Sequence, residues 1–112
     1  MSEHAGRSRA PARAAVVAGC RTPFARSGTV FRGLSAIDLG KLAVRDAVTR
    51  ADIRASDVEH LVYGTVVHDV RAPNIAREVA LGTLPVTVPA VTVSRACTSA
   101  NPVSYTHLTL PT

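Results

Sequence analysis

The stretch VPAVTVSRACTSAN, residues 88–101, decides the fold and carries the most informative residue of the chain. Its apolar run at residues 88–93 predicts a strand, and the small residues at 98–101 are compatible with a helix. Cys97 lies at this junction. In the first turn of a helix, unpaired backbone N–H groups and the positive end of the helix dipole stabilise a thiolate over a thiol. Cys97 is therefore a candidate nucleophile, and a buried, inert cysteine is the alternative that the local pattern leaves open.

The composition is that of a small folded chain without the features of a nucleic-acid-binding protein. With 112 residues, the chain is at most one small domain, so it is either a compact unit or a piece of something larger. A hydrophobic content of 46% predicts a core, whereas 4% aromatic residues without tryptophan provide no platform for stacking bases. The net charge of +5 comes from dispersed arginines. Nucleic acid is therefore not an expected partner.

Neither secretion nor a membrane span is indicated. No apolar core follows the early basic residues, and no segment approaches the roughly 20 apolar residues that cross a bilayer. Cys20 and Cys97 are far apart and have no second cysteine pair, so we expect a cytoplasmic protein with no disulfide and no metal site. Residues 1–12 are predicted to be a disordered extension. A transit peptide is the alternative, and Glu3 disfavours it.

The region before the first predicted helix reads as a strand and a loop. Residues 14–18 predict a short buried strand, which Gly19 ends. Pro23 disfavours helix at the residue before it, so a loop is predicted over residues 21–33. Ser35 is then a candidate N-cap in a capping-box arrangement with Asp38, and apolar spacing predicts a helix over residues 36–51.

The second half of the chain continues the alternation of helix and strand. Residues 56–57 predict the start of a short helix, and residues 61–67 have the β-branched and aromatic side chains of a strand. Asn74 is a candidate cap for a further helix that Gly82 closes. The strand before the cysteine motif completes the order strand, helix, strand, helix, strand. This order predicts an α/β fold with crossover connections.

Several segments, in their order and spacing, carry a resemblance to a known family. They are VVAGCRTPFARSGT (16–29), DLGKLAV (38–44), VYGTVV (62–67), PNIAREVALG (73–82) and VSRACTSAN (93–101). Together they resemble the N-terminal part of the thiolase family, in particular the long-chain 3-ketoacyl-CoA thiolases of fatty-acid oxidation complexes. The resemblance implies a layered α/β/α domain with a mixed sheet, of which residues 13–101 are the truncated N-terminal part.

The resemblance also implies a chemistry for Cys97. In thiolases, the cysteine of this motif takes the acyl group from a 3-ketoacyl-CoA as a thioester and passes it to free coenzyme A. Coenzyme A is then a substrate, and no bound cofactor or metal is expected. The family adds a histidine base, oxyanion-binding donors and a second cysteine from later motifs that this chain does not contain. Partners implied by the resemblance are a second copy of the protein and a hydratase/dehydrogenase subunit.

Other reactive side chains are not assigned to the site. His60, His68 and His107 match no catalytic motif of the family and are expected to be polar surface residues. Cys20 is expected to pack at the end of the first strand. The Arg-Thr-Pro sequence at residues 21–23 is expected to shape a loop, with its arginine pairing with groups elsewhere in the fold.

The resemblance stops after Asn101, where thiolases continue the helix and this chain reads PVSYTHLTLPT. Pro102 would interrupt that helix. Residues 103–112 match the translation of a transposon-type sequencing adapter, and Pro102 fits a codon formed at the junction. Residues 102–112 are therefore expected to be adapter-derived and are excluded from the fold. A divergent natural tail is the alternative.

These observations lead to one main hypothesis and two alternatives. The chain is expected to be a fragment of a 3-ketoacyl-CoA thiolase of fatty-acid β-oxidation, inactive by itself because most catalytic groups are missing. The first alternative is a thiolase that works in the condensing direction or acts on acetoacetyl-CoA. The second is a non-catalytic interaction module that keeps a thiolase-like start. A downstream histidine motif and a second cysteine motif would distinguish an enzyme from such a module.

Overall fold

Two parallel strands joined through a helix form the centre of the structure, a computed structural model that describes residues 13–100. Residues 1–12 and 101–112 lie outside the described residues, and with them the expected extension (1–12) and the expected adapter-derived tail (102–112). The elements within the described range are helix α1 (Ala36–Ala51), a 3₁₀ turn (Ala55–Asp57), strand β1 (Leu61–Gly64), helix α2 (Ile75–Leu81) and strand β2 (Ala90–Val93).

Strands β1 and β2 pair in parallel. The register runs from Leu61 opposite Ala90 to Gly64 opposite Val93, and the N–H of Thr65 extends the ladder by donating to the carbonyl oxygen of Val93 at 3.0 Å. Parallel neighbours need a crossover connection, and α2 lies within it. The predicted α/β fold with a crossover is confirmed.

Helix α1 begins at a capping box and has the predicted bounds. The Ser35 hydroxyl accepts from the N–H of Asp38 at 3.1 Å, and the Asp38 carboxylate accepts from the N–H of Ser35 at 2.9 Å. Hydrogen bonding from the backbone N–H of Ser35, and from its side chain, favours the charged carboxylate and holds the pKa of Asp38 below its ordinary value. At the other end, Asp52 takes a left-handed conformation with φ of 57°. Both ends are therefore set by local chemistry.

Helix α2 is capped by Asn74, as predicted, and the same side chain fastens the helix to β2. The Asn74 Oδ1 atom accepts from the N–H of Arg77 at 3.3 Å and from the Thr92 hydroxyl at 2.6 Å. Its Nδ2 atom donates to the carbonyl oxygen of Ala90 at 3.2 Å. The Thr92 hydroxyl in turn accepts from the N–H of Ala76 at 3.0 Å. The Asn74 side chain thus caps the first turn of α2 and also binds α2 to β2.

We expect Asn74→Ala to destabilise the protein more than the loss of a cap alone. The variant loses a cap and two bonds to β2, at a cost of about 2 kcal/mol. Ser35→Ala, which removes a cap that has no strand contact, is the matched control and costs about 1 kcal/mol. Urea unfolding of both variants measures the difference in free energy of unfolding. Equal losses in the two variants would show that the strand bonds of Asn74 contribute nothing.

The core lies between the two helices and the strands. Val79 of α2 is fully buried, and Ala80 packs with Leu84 and Val88 in the central cluster. Helix α1 approaches α2 closely at Gly40, where an added Cβ would lie 2.8 Å from a Val79 methyl. The residues that surround the cluster are partly buried: Val44, Val48, Ala55, Val58, Leu61 and Ala90.

The predicted strand at residues 14–18 is wrong. The segment is irregular, and the side chains of Val16 and Val17 are 80% and 74% exposed. A short strand is stable only when its backbone groups pair with a neighbouring strand and its apolar side chains are covered. Within the described residues, β1 and β2 pair only with each other. Nothing there covers the two valines, so the apolar pattern alone does not produce a strand.

Three further elements are shorter than predicted. The strand expected over residues 88–93 begins at Ala90. The strand expected over residues 61–67 ends at Gly64, and the exposed Val66 and Val67 lie in a bend. Their β-branched side chains favour a strand. The last hydrogen bond between the two strands, however, is the one from the N–H of Thr65 to the carbonyl oxygen of Val93. The short helix expected near residues 56–57 is the single 3₁₀ turn, closed by the N–H of Asp57 on the carbonyl oxygen of Arg54.

Candidate active site

Cys97 lies beyond the carboxyl end of β2, and its side chain is exposed. Because β1 and β2 are parallel, their carboxyl ends meet at one edge of the sheet, marked by Gly64 and Val93. In open α/β sheets, ligands bind at this edge. The structure therefore presents the candidate nucleophile to solvent where the fold places binding sites.

A hydrogen-bonded turn, rather than a helix, holds Cys97. The N–H of Thr98 donates to the carbonyl oxygen of Arg95 at 3.1 Å, and the N–H of Ser99 donates to that of Ala96 at 3.2 Å. The Thr98 hydroxyl adds a second bond to the Arg95 carbonyl at 2.9 Å. The residues that follow Cys97, Thr98 and Ser99, are turn residues, so Cys97 does not lie in the first turn of a helix, where it was predicted. We refer to residues 95–99 as the cysteine turn.

The residue before Cys97 has an unusual backbone. Ala96 takes φ of 51°, in the left-handed region that favours glycine. A residue with a Cβ pays about 1–2 kcal/mol for this conformation, so the surrounding contacts must impose it. Such conformations concentrate at functional sites.

Ser99 is the buried polar side chain of the cysteine turn, with 4% of its surface exposed. Its hydroxyl oxygen accepts from the N–H of Arg95 at 2.9 Å. It also lies 3.1 Å from the carbonyl oxygen of Thr65 and 2.6 Å from that of Ala96, and it can donate to either. Ser99 thus joins both ends of the turn to the chain just after β1.

Cys20 is placed apart from this edge. Its thiol is half-buried and donates to the carbonyl oxygen of Ala43 in α1 at 3.2 Å. This contact fits the packing role expected for Cys20.

Nearby, the guanidinium of Arg21 lies 3.9 Å above the ring of Phe24, a local cation–π contact rather than the long-range pairing expected.

The described histidines flank β1. His60 precedes the strand and His68 follows it, so the two lie toward opposite ends of β1. His107 lies outside the described residues. Within residues 13–100, no group of three or more His, Cys, Asp or Glu side chains is arranged to hold a metal ion.

Three residues of the site were missed by the sequence reasoning: Gly64, Ala96 and Ser99. A glycine at the end of a strand is a signal of close backbone approach, so Gly64 could have been found. The left-handed conformation of Ala96 leaves no mark in the sequence, because alanine rarely adopts it. Nothing in the sequence near Ser99 indicates its contact with the carbonyl oxygen of Thr65, which lies 34 positions away.

The profile of the family described as "Thiolase, N-terminal domain" matches residues 14–106. The match covers most of the chain, including both strands, both helices and the cysteine turn. The chain therefore belongs to the thiolase family, and the predicted resemblance is confirmed.

Curated relatives give a finer comparison. The chain is 55% identical over 86 residues to a protein named 3-ketoacyl-CoA thiolase from Klebsiella pneumoniae (strain 342), and 49% identical over 86 residues to one from Shewanella halifaxensis (strain HAW-EB4). In each case the alignment covers 76% of this chain and 20% of the relative. The chain thus spans about a fifth of the length of the relatives it matches.

Solved structures show the same fold. The Acat5 thiolase from Ascaris suum, crystallised in complex with coenzyme A, superposes with a TM-score of 0.78 at 27% identity, over 82% of this chain and 24% of that one. An acetyl-CoA acetyltransferase from Syntrophomonas wolfei superposes with a TM-score of 0.76 at 26% identity, over 83% and 24%. The fold is thus that of a truncated α/β thiolase domain. Within residues 13–100, no helix has the length and apolar character needed to cross a membrane.

Proposed function

We propose that this chain is the N-terminal part of a 3-ketoacyl-CoA thiolase whose nucleophile is Cys97. The observation that carries the proposal is the exposed Cys97 in a strained turn at the carboxyl edge of the parallel strands, within a segment that matches the thiolase family. The 55% identity to a relative named 3-ketoacyl-CoA thiolase supports the substrate class.

In the proposed reaction, the Cys97 thiolate attacks the 3-keto carbon of the substrate. The bond between the second and third acyl carbons breaks, its electron pair passes to the acetyl unit, and acetyl-CoA leaves after taking a proton. The remaining acyl group stays on Cys97 as a thioester. The thiol of free coenzyme A then gives up its proton and attacks this thioester, which releases the shortened acyl-CoA and restores Cys97.

Further groups must support these steps. A general base and a proton donor are needed for the two proton transfers, and oxyanion-binding donors are needed for the tetrahedral states. We propose that the rest of the intact protein, meaning the full-length product of the gene that encodes this segment, supplies them. The 112-residue chain by itself is then inactive, because groups of this kind act as a unit.

Coenzyme A is proposed as a substrate and not as a resident cofactor. The similarity to the Ascaris suum thiolase, which was crystallised in complex with coenzyme A, supports this. The same family membership supports a cytoplasmic enzyme of β-oxidation that forms oligomers and pairs with a hydratase/dehydrogenase subunit. An acetoacetyl-CoA or condensing thiolase is the second candidate, favoured by the similarity to the Syntrophomonas wolfei acetyltransferase.

The test is to locate the acyl group. We expect the intact protein, incubated with a long-chain 3-ketoacyl-CoA in the absence of free coenzyme A, to carry the shortened acyl chain on the peptide that contains Cys97. Mass spectrometry of the digested protein identifies this peptide, and the 112-residue chain is the inactive control. Acylation by acetoacetyl-CoA alone would favour the second candidate. An intact protein that neither becomes acylated nor turns over any 3-ketoacyl-CoA would instead be the non-catalytic module.

A further inference from the structure

We infer that Ser99 is a positioning residue that fixes the cysteine turn against the end of β1 and thereby sets where the Cys97 thiol lies. This inference rests on the proposed function, since it assigns Ser99 a part in the reaction of Cys97. Its evidence is the set of contacts that the Ser99 hydroxyl and backbone make.

The first contact set is the hydroxyl of Ser99. It accepts from the N–H of Arg95, two residues before Cys97, and it reaches the carbonyl oxygens of Ala96 and Thr65. A hydroxyl has one proton, so it donates to one of these two carbonyls at a time. Because the Ser99 hydroxyl is buried, water cannot readily replace a hydrogen bond that is lost there. Removing the hydroxyl therefore leaves the Arg95 N–H without its partner.

The second contact is between backbones. A Cβ added to Gly64 would lie 3.0 Å from the carbonyl oxygen of Ser99 and 3.1 Å from its carbonyl carbon. Such approaches are tighter than ordinary van der Waals contact, so the backbone of Ser99 rests directly on the last residue of β1. A side chain at residue 64 would therefore force the backbone of Ser99 to shift by a few tenths of an ångström, and glycine avoids this shift.

The third observation is the strain at Ala96. The two backbone groups that the Ser99 hydroxyl contacts within the turn, the N–H of Arg95 and the carbonyl oxygen of Ala96, lie on either side of the Ala96 Cα atom. Without the hydroxyl, only the backbone bonds of the turn oppose a rotation of Ala96 toward a common conformation, and such a rotation moves the next residue, Cys97. Ser99 acts on the nucleophile through the backbone, without touching the reacting atoms.

The experiment compares Ser99→Ala with Thr83→Ala in the intact protein. Thr83 is the matched control, because its hydroxyl is partly buried and donates to a backbone carbonyl, that of Val79, at 2.8 Å. This bond lies at the end of α2 and not in the cysteine turn. The readouts are the rate of Cys97 alkylation by iodoacetamide across a range of pH, and the values of kcat and KM for a 3-ketoacyl-CoA.

We expect Ser99→Ala to lower kcat by about 10-fold to 100-fold with little change in KM, and to change the pH profile of alkylation at Cys97. Thr83→Ala is expected to lower the thermal unfolding midpoint while leaving both readouts unchanged. Gly64→Ala, which keeps every hydrogen-bonding group of Ser99, is expected to reproduce the effects of Ser99→Ala. This second variant decides the matter if Ser99→Ala does not fold.

Two results would overturn the inference. One is a Ser99→Ala or Gly64→Ala protein whose kcat and alkylation profile match those of the unmodified protein. The other is a Thr83→Ala protein that changes them equally, since loss of stability would then explain the effect. If the unmodified protein turns over no 3-ketoacyl-CoA, the proposed function fails. The alkylation profiles of the variants still decide whether Ser99 positions Cys97.

Discussion

Cys97→Ser is expected to abolish acyl-enzyme formation in the intact protein and to lower kcat for thiolysis by about 1,000-fold or more. A thiol is partly ionised near neutral pH and is intrinsically nucleophilic, whereas an alcohol is neither without a strong base beside it. The exposed position of Cys97 lets the substrate reach it. The measurement is thiolysis of a 3-ketoacyl-CoA, followed by mass spectrometry of the acylated peptide.

Cys20 provides the matched control for this prediction. Its half-buried thiol donates to the Ala43 carbonyl, away from the cysteine turn, so Cys20→Ser is expected to keep its activity. In the unmodified protein, iodoacetamide is expected to label Cys97 much faster than Cys20 near neutral pH. Equal labelling of the two cysteines, or a fully active Cys97→Ser protein, would disprove the role of Cys97.

The second large effect is expected at Gly40, where α1 packs against the core. An added Cβ there would lie 2.6 Å from the Tyr63 hydroxyl oxygen and 2.8 Å from a Val79 methyl. Val79 is fully buried, so its methyl cannot move away freely, whereas Tyr63 is only half-buried and burial raises the pKa of its hydroxyl. Gly40→Ala gains about 1 kcal/mol of helix propensity. We expect overpacking to outweigh this gain and leave a net loss of about 1–2 kcal/mol, with a larger loss for Gly40→Val.

Urea unfolding of the Gly40 variants measures this loss as a change in midpoint at constant slope. Gly19→Ala is the control, because a Cβ added at Gly19 meets no atom within 4 Å. Its stability is expected to remain close to that of the unmodified protein. A Gly40→Ala protein that is as stable as Gly19→Ala would show that α1 can shift away from Val79 and Tyr63 at no cost.

Elements set by local chemistry could be predicted from the sequence. Ser35 bonds to a residue three positions later, and Asn74 does the same at the start of α2, so both caps were visible in short windows. The family motif around Cys97 identified the candidate nucleophile in the same way. The bounds of α1 and the presence of α2 are confirmed for this reason.

Features that depend on distant partners could not be predicted. The valines at 16 and 17 have the pattern of a buried strand but lack a neighbouring strand among the described residues. The left-handed conformation of Ala96, the residue before Cys97, follows from no local rule. The role of Ser99 depends on Thr65, 34 positions earlier in the sequence. Pattern reasoning therefore pointed to the candidate nucleophile but not to the groups that hold it.

The bond between Ser99 and Thr65 also bears on how the protein is made. Chains grow from the N-terminus, so every backbone group that contacts the Ser99 hydroxyl has already been synthesised when this serine is added. At about 5–20 residues per second, the 34 positions between the two partners take roughly 2–7 s of translation. For most of that interval β2 has not yet been synthesised, and the end of β1 lacks its neighbouring strand. Once residue 99 has left the ribosome, the cysteine turn can close on groups that have already emerged, before any residue that follows it has emerged.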